Sequence, residues 1–135
     1  MSILVKPKNF EAEVLRAETP VLVDFFGEHC LPCLLLRPIL LALGEELAGR
    51  LKICMFNTDR ERRESDEDYE EKFKTIAEYG VMHLPTLLLF IDGELKRRFI
   101  GLQSGEELLA AFAEEGLALE AHVIDKVEKE DEGKV

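Results

Sequence analysis

Apolar and polar positions change period several times along the chain, and each change marks an element. Ile3 to Val5 is a short apolar run and predicts a first strand. Asn9 can then cap a helix reaching about Ala17, with Glu11 and Glu13 in its first turn, where carboxylates favour the helix dipole, and Thr19-Pro20 ends it. Val21-Leu22-Val23-Asp24-Phe25-Phe26 shows no alternation, the pattern of a strand covered on both faces, so it should be the middle of a sheet. A helix is predicted from the Cys30/Cys33 pair to about Ala48, with Gly49 near its end and Pro38 inside it, costing a hydrogen bond and bending it. Within it Leu35, Leu36, Ile39, Leu40, Leu43 and Leu47 can face a core. Ile53 to Asn57 predicts a further strand.

Asp59 to Tyr79 is strongly charged, yet Tyr69, Phe73, Ile76 and Ala77 recur at helical spacing, Ser65 with Asp68 makes a capping box, and Gly80 suits a stop. This predicts a helix with one apolar stripe, preceded by a solvated loop. Thr86 to Ile91 and Glu94 to Ile100 are strands joined by Asp92-Gly93, a two-residue hairpin signal, so they should be antiparallel. Ser104 with Glu107 opens a helix carrying Leu108, Leu109, Phe112 and Ala113 and ending near Gly116. The order β-α-β-α-β-α-β-β-α predicts an α/β fold, a central mixed sheet of about five strands with helices on both faces.

Residues 1–116 read as one domain and 117–135 as a charged C-terminal extension. Leu117, Leu119, Val123, Ile124 and Val127 could continue helically, while Glu128 to Val135 carries six charges in eight residues and is expected to be disordered. A chain of 135 residues, 47% of them hydrophobic, has room for one sizeable core. A net charge of −11 and a pI near 4.8 argue against nucleic acid, because Arg60 to Arg63, the densest basic group, is interleaved with glutamate. No apolar run approaches the length of a membrane span, and the first residues lack the pattern of a secretory signal, so the expected location is cytoplasmic.

In a reducing compartment the three cysteines do not make a disulfide framework. Cys30-Leu31-Pro32-Cys33 follows the buried strand directly, at a strand-to-helix junction, where two intervening residues let both sulfurs share one turn. At a helix start, unpaired N–H groups and the positive end of the dipole favour a thiolate at Cys30. Pro32 fits the opening turn because its missing N–H would be an orphan there. Cys33, one turn inward, can attack a mixed disulfide formed at Cys30. Asp24 is the sole charge in its run, so burial should raise its pKa, suiting it to exchange a proton with Cys33. Cys54 reads as a small core hydrophobe.

Val21 to Phe26, Cys30-x-Pro32-Cys33, Pro38, Leu84-Pro85-Thr86 leading into a strand, the Asp92-Gly93 hairpin and Gly101 together resemble a thioredoxin over roughly residues 1 to 116. The resemblance implies a thioredoxin fold and thiol-disulfide exchange on protein disulfides, with a thioredoxin-reductase-like partner and no cofactor; the reducing direction is expected from the reducing compartment alone. It implies Cys30 as nucleophile, Cys33 as resolving thiol and Asp24 as proton acceptor. Pro85 would be cis and present the backbone of Leu84 to a substrate, beside Leu31, Pro32 and His29.

The chain departs from that family where tryptophan usually precedes the first cysteine and Gly-Pro separates the pair, for here stand His29 and Leu31-Pro32, with Phe26 in place of another tryptophan. A protonated His29 would favour the Cys30 thiolate. Leu34 and Met55 occupy positions where related chains often carry lysine, so Asp24 should be harder to ionise. Leu34 and Leu41, with Leu31 nearby, form an apolar stripe that suits a protein partner or a weak dimer as well as a monomer with scattered surface leucines. Two other readings are open: a binding module using this leucine-rich face, and a Cys2His2 zinc site of His29, Cys30, Cys33 and His83. Arg60 to Glu71 contains an insertion of about ten residues relative to the family, read as a solvated loop or as a charged specificity element.

Overall fold

The run Val21–Phe26, apolar but for Asp24, forms strand β2, buried at all six positions. The computed structural model of the chain describes residues 2–119. Around β2 stand β1 (Ser2–Val5), β3 (Lys52–Asn57), β4 (Thr86–Ile91) and β5 (Glu94–Ile100), in the order β1-β3-β2-β4-β5. β3 pairs in parallel with β1 and β2, whereas β2 with β4 and β4 with β5 are antiparallel, so the sheet is mixed as expected. The β4–β5 turn puts Asp92 at φ 52° and Gly93 at φ 79°, the left-handed pair of a type I′ hairpin. Gly93 is required there a second time, because a Cβ would lie 2.6 Å from the Leu15 carbonyl oxygen.

Alternation along β2 divides the core in two. Leu22 and Phe26, with Met55, Leu87 and Leu89, face α2 (Leu31–Glu46) and α4 (Gly105–Glu114), where Leu36, Leu40, Leu43 and Phe112 are fully buried. Val21, Val23 and Phe25, with Cys54 and Phe56, face the other layer, built on Phe10 and Val14 and flanked by Ile76 and Tyr79. Asp24 lies between Leu22 and Phe26 on the strand and therefore faces the α2 layer, which also contains Cys33. Leu117 and Leu119 pack on this same layer; residues 120–135, with the charged segment read as disordered, lie outside the described residues.

Three expectations shift in phase. The first helix, α1 (Pro7–Phe10), opens at Pro7 and runs on as a π-helical turn over Glu11–Leu15. Asn9 therefore sits inside the first turn, where its Oδ1 accepts from the Lys6 N–H at 2.6 Å. In α2 the inward stripe is Cys33, Leu36, Ile39, Leu40 and Leu43; Leu35, about 100° round from Leu36, is 50% exposed and not a core residue. The helix is continuous through Pro38.

The third shift is in α3 (Asp66–Glu78), where Ser65 caps as expected, its Oγ accepting from the Asp68 N–H at 3.1 Å. The apolar stripe is not as read: Phe73 is 63% exposed and Ala77 is exposed, while Lys72, one position away, is buried. Its stem is covered and its ammonium donates to the Asp59 carbonyl at 2.7 Å and pairs with Glu64 at 2.9 Å. Burial opposes ionisation of Glu64, but the Lys72 hydrogen bond, the Glu61 N–H and the lysine charge together hold it below the usual carboxylate range. The charged segment is thus anchored by a buried ion pair and is not merely a solvated loop. Lys72→Met is expected to cost about 3–5 kcal/mol in urea unfolding by stranding the Glu64 carboxylate, with part of the loss recovered in Lys72→Met/Glu64→Gln. A change under about 0.5 kcal/mol would show that the pair is dispensable.

Candidate active site

Helix α2 is capped by a cysteine. Cys30 is extended (φ −119°, ψ 106°), and its Sγ accepts from the Cys33 N–H at 3.3 Å, so the first turn of the helix points a donor at the outer sulfur. Cys30 and Cys33 form a disulfide with a Cα–Cα distance of 5.2 Å. Cys33 is fully buried whereas Cys30 is partly exposed, so one sulfur can meet a partner and the other lies behind it. Pro32 falls in the first turn, and Leu31 beside it is 66% exposed.

The loop before Cys30 is fastened by the end of β3. The Glu28 N–H donates to Asp59 Oδ2 at 2.6 Å, Asn57 Nδ2 donates to Glu28 Oε1 at 3.2 Å, and the Thr58 N–H and Oγ1 both donate to the Phe26 carbonyl at 2.9 Å. The Asp59 N–H in turn donates to Asn57 Oδ1 at 2.9 Å. These three residues were not singled out in the sequence; a polar Asn-Thr-Asp cluster closing a buried strand was the available signal. The Leu84-Pro85 peptide is cis, with Pro85 buried and Leu84 37% exposed. Gly27 is where that turn meets the redox loop: a Cβ on it would lie 3.0 Å from Leu84 Cδ1 and 3.8 Å from Cys30 Cβ.

Asp24 is 1% exposed, and among the described residues neither carboxylate oxygen has a hydrogen-bond partner. Burial raises its pKa from 3.8 to about 7, opposed by the charge of Arg37. In the sheet Asp24 stands opposite Met55 on one side and Leu87 on the other. The family's usual lysine positions are apolar here, but the carboxylate is not without a cation: Arg37, four residues after Cys33, lies with its guanidinium 5.1 Å from the Phe26 ring centroid. Arg37 is a functional candidate that sequence reading missed, because nothing in the spacing ties an arginine on α2 to an aspartate on β2.

His29 and His83 are both exposed. Among the described residues no group of three or more histidine, cysteine, aspartate or glutamate side chains is gathered to hold a metal, so the Cys2His2 alternative is not favoured. Cys54 is fully buried, and burial pushes its thiol up to about 11, keeping it a protonated core residue. Leu34 and Leu41 are 49% and 41% exposed, as the stripe required. A surface hollow of about 530 Å³ lies at the charged segment, bordered by the Lys6–Glu61 and Lys8–Asp68 pairs and by none of these residues.

The family model described as Thioredoxin matches residues 1–114. A thioredoxin of Rickettsia conorii is 40% identical over 105 residues, covering 78% of this chain and 90% of that protein. A thioredoxin of Pseudomonas aeruginosa is 37% identical over 106 residues, 78% of this chain and 88% of that protein. Thioredoxin C-2 of Corynebacterium nephridii is 38% identical over 110 residues, 82% and 91%. These likenesses favour exchange chemistry over a redox-inactive binding module. Among the described residues no helix is long and apolar enough to cross a membrane.

Proposed function

Because the chain belongs to the thioredoxin family and is a thiol-disulfide oxidoreductase, we propose that Cys30 attacks, Cys33 resolves and Asp24 moves the proton between the two half-reactions. The single observation that carries this division is the asymmetry of burial: the outer sulfur at the helix start and the inner one fully enclosed. In the reduced protein the Cys30 thiolate, supported by the Cys33 N–H and the helix dipole, attacks one sulfur of a substrate disulfide. A bond forms between Cys30 and that sulfur, the substrate S–S bond breaks, and the departing thiolate takes a proton. Asp24 as carboxylate then accepts the Cys33 proton, and the Cys33 thiolate attacks Cys30 Sγ; the intramolecular disulfide forms as the Cys30–substrate bond breaks, and the second substrate sulfur leaves as a thiolate that takes a proton. Two electrons have passed to the substrate, which leaves as a dithiol. A carboxylate whose pKa lies near 7 suits both taking this proton and returning it.

The substrates are protein disulfides, and the family implies a reductase partner that restores the dithiol. We assign Leu31, Pro32, His29, Leu84 and Pro85 to the substrate face, supported by the exposure of Leu31 and Leu84 and by the approach of Leu84 to the Cys30 loop. A cytoplasmic, reducing role is the reading that lets the dithiol be the resting state; the acidic charge favours protein over nucleic-acid partners. The test is turnover. With a thioredoxin reductase and its nicotinamide donor, wild-type protein should drive repeated reduction of insulin disulfides. Absence of turnover with both that system and dithiothreitol would overturn the reading.

A further inference from the structure

Asp24 is an ionisable group with no hydrogen-bond partner for either oxygen among the described residues, enclosed by Met55 on β3, Leu87 on β4 and the α2 layer that contains Cys33. None of these neighbours carries a fixed charge. Phe26, two residues further along the same face of β2, is about 6.6 Å away along the strand, and the Arg37 guanidinium rests over its ring at 5.1 Å. Arg37 also lines a cleft of about 430 Å³ with Phe26, Leu34, Leu41 and Met55. Apolar walls on several sides keep the field of the guanidinium from being fully screened by bulk water. Besides Arg37, the polar part of this cleft is Ser2, Glu28 and Asn57; Asn57 donates to Glu28, so the opposing carboxylate is partly engaged elsewhere.

We propose that Arg37 is a positioning residue that tunes the acidity of Asp24 through space, and so sets the pH above which Cys33 can be deprotonated. It rests on the proton-acceptor role assigned to Asp24 above. Arg37 touches no reacting atom; its cation favours the ionised carboxylate, against the burial that disfavours it. It does from one turn beyond Cys33 what Leu34 and Met55, both apolar, cannot do from their places in the cleft.

The experiment is a carbon-detected NMR titration of the Asp24 carboxyl in the reduced protein, paired with the pH dependence of mixed-disulfide resolution. Arg37→Leu should move the Asp24 midpoint upward by about 0.5–1 pH unit and carry the kinetic midpoint with it, while Arg37→Lys stays near wild type. Raising the salt to about 1 M should move the wild-type midpoint upward and leave Arg37→Leu nearly unmoved. A midpoint in Arg37→Leu within about 0.2 unit of wild type would overturn the proposal. Asp24→Asn separates the two claims: if it resolves mixed disulfides at the wild-type rate and pH dependence, the assigned role of Asp24 fails, whereas the carboxyl titration still judges Arg37 alone.

Discussion

Cys30→Ser should abolish disulfide reduction, lowering the rate by at least about 10³-fold, because no other thiol can begin the exchange. Cys33 is fully enclosed, and Cys54 is both enclosed and held protonated by burial. Cys33→Ser should behave differently. It keeps the outer sulfur with the helix start behind it, so the first attack proceeds, but the mixed disulfide then has no internal thiol to release it and accumulates. Mass spectrometry of the two variants after incubation with an oxidised protein substrate reads this directly: a covalent adduct on Cys30 in Cys33→Ser, and none in Cys30→Ser. An adduct on Cys33 or Cys54 in the Cys30 variant would refute the assigned order of attack.

Asp24→Asn should stabilise the protein at neutral and alkaline pH while slowing resolution. The folded pKa of Asp24 is raised to about 7 from 3.8. For a group raised in the folded state, the favourable contribution is fully present below the unfolded value, near pH 4, and is lost as pH climbs through 7. The gap of about three units corresponds to roughly 4 kcal/mol of stability surrendered across that window. An asparagine does not ionise, so it escapes the loss, although its amide inherits the same unpartnered site and keeps some desolvation cost. Urea unfolding in one fixed redox state should therefore show Asp24→Asn more stable than wild type by about 2–4 kcal/mol at pH 8, the difference shrinking toward zero or below by pH 4. A difference that does not change with pH would mean that Asp24 ionises in the folded chain as it does in the unfolded one.

Features written in local chemistry were legible before any coordinates. The absence of alternation from Val21 to Phe26 gave the central strand, Asp92-Gly93 the hairpin, and Ser65 and Ser104 the caps of α3 and α4, each accepting from the N–H three residues on. Cys30 and Cys33 were legible for the same reason, since two residues of spacing decide whether two sulfurs can share a turn. Helical phase was less so. Tyr69, Phe73, Ile76 and Ala77 have the right period, but Lys72, not Phe73, turned inward, because Glu64 and the Asp59 carbonyl supply partners that a hydropathy pattern scores as solvent-facing charge. Leu35 illustrates the converse, an apolar residue on a helix with more leucines than its inward stripe can hold. Arg37 and the Asn57-Thr58-Asp59 clasp depend on which strand lies beside which helix, information that no window along the chain contains.

The central claim is that one buried-and-exposed sulfur pair cycles reversibly in the reducing direction. An equilibrium titration against glutathione, or against thioredoxin of known potential, quenched by alkylation and mapped by peptide mass, tests it most directly. The expected result is a single two-electron transition confined to Cys30 and Cys33, at or below about −230 mV, with Cys54 a thiol throughout. No reversible transition at that pair, or one near about −120 mV, would contradict it.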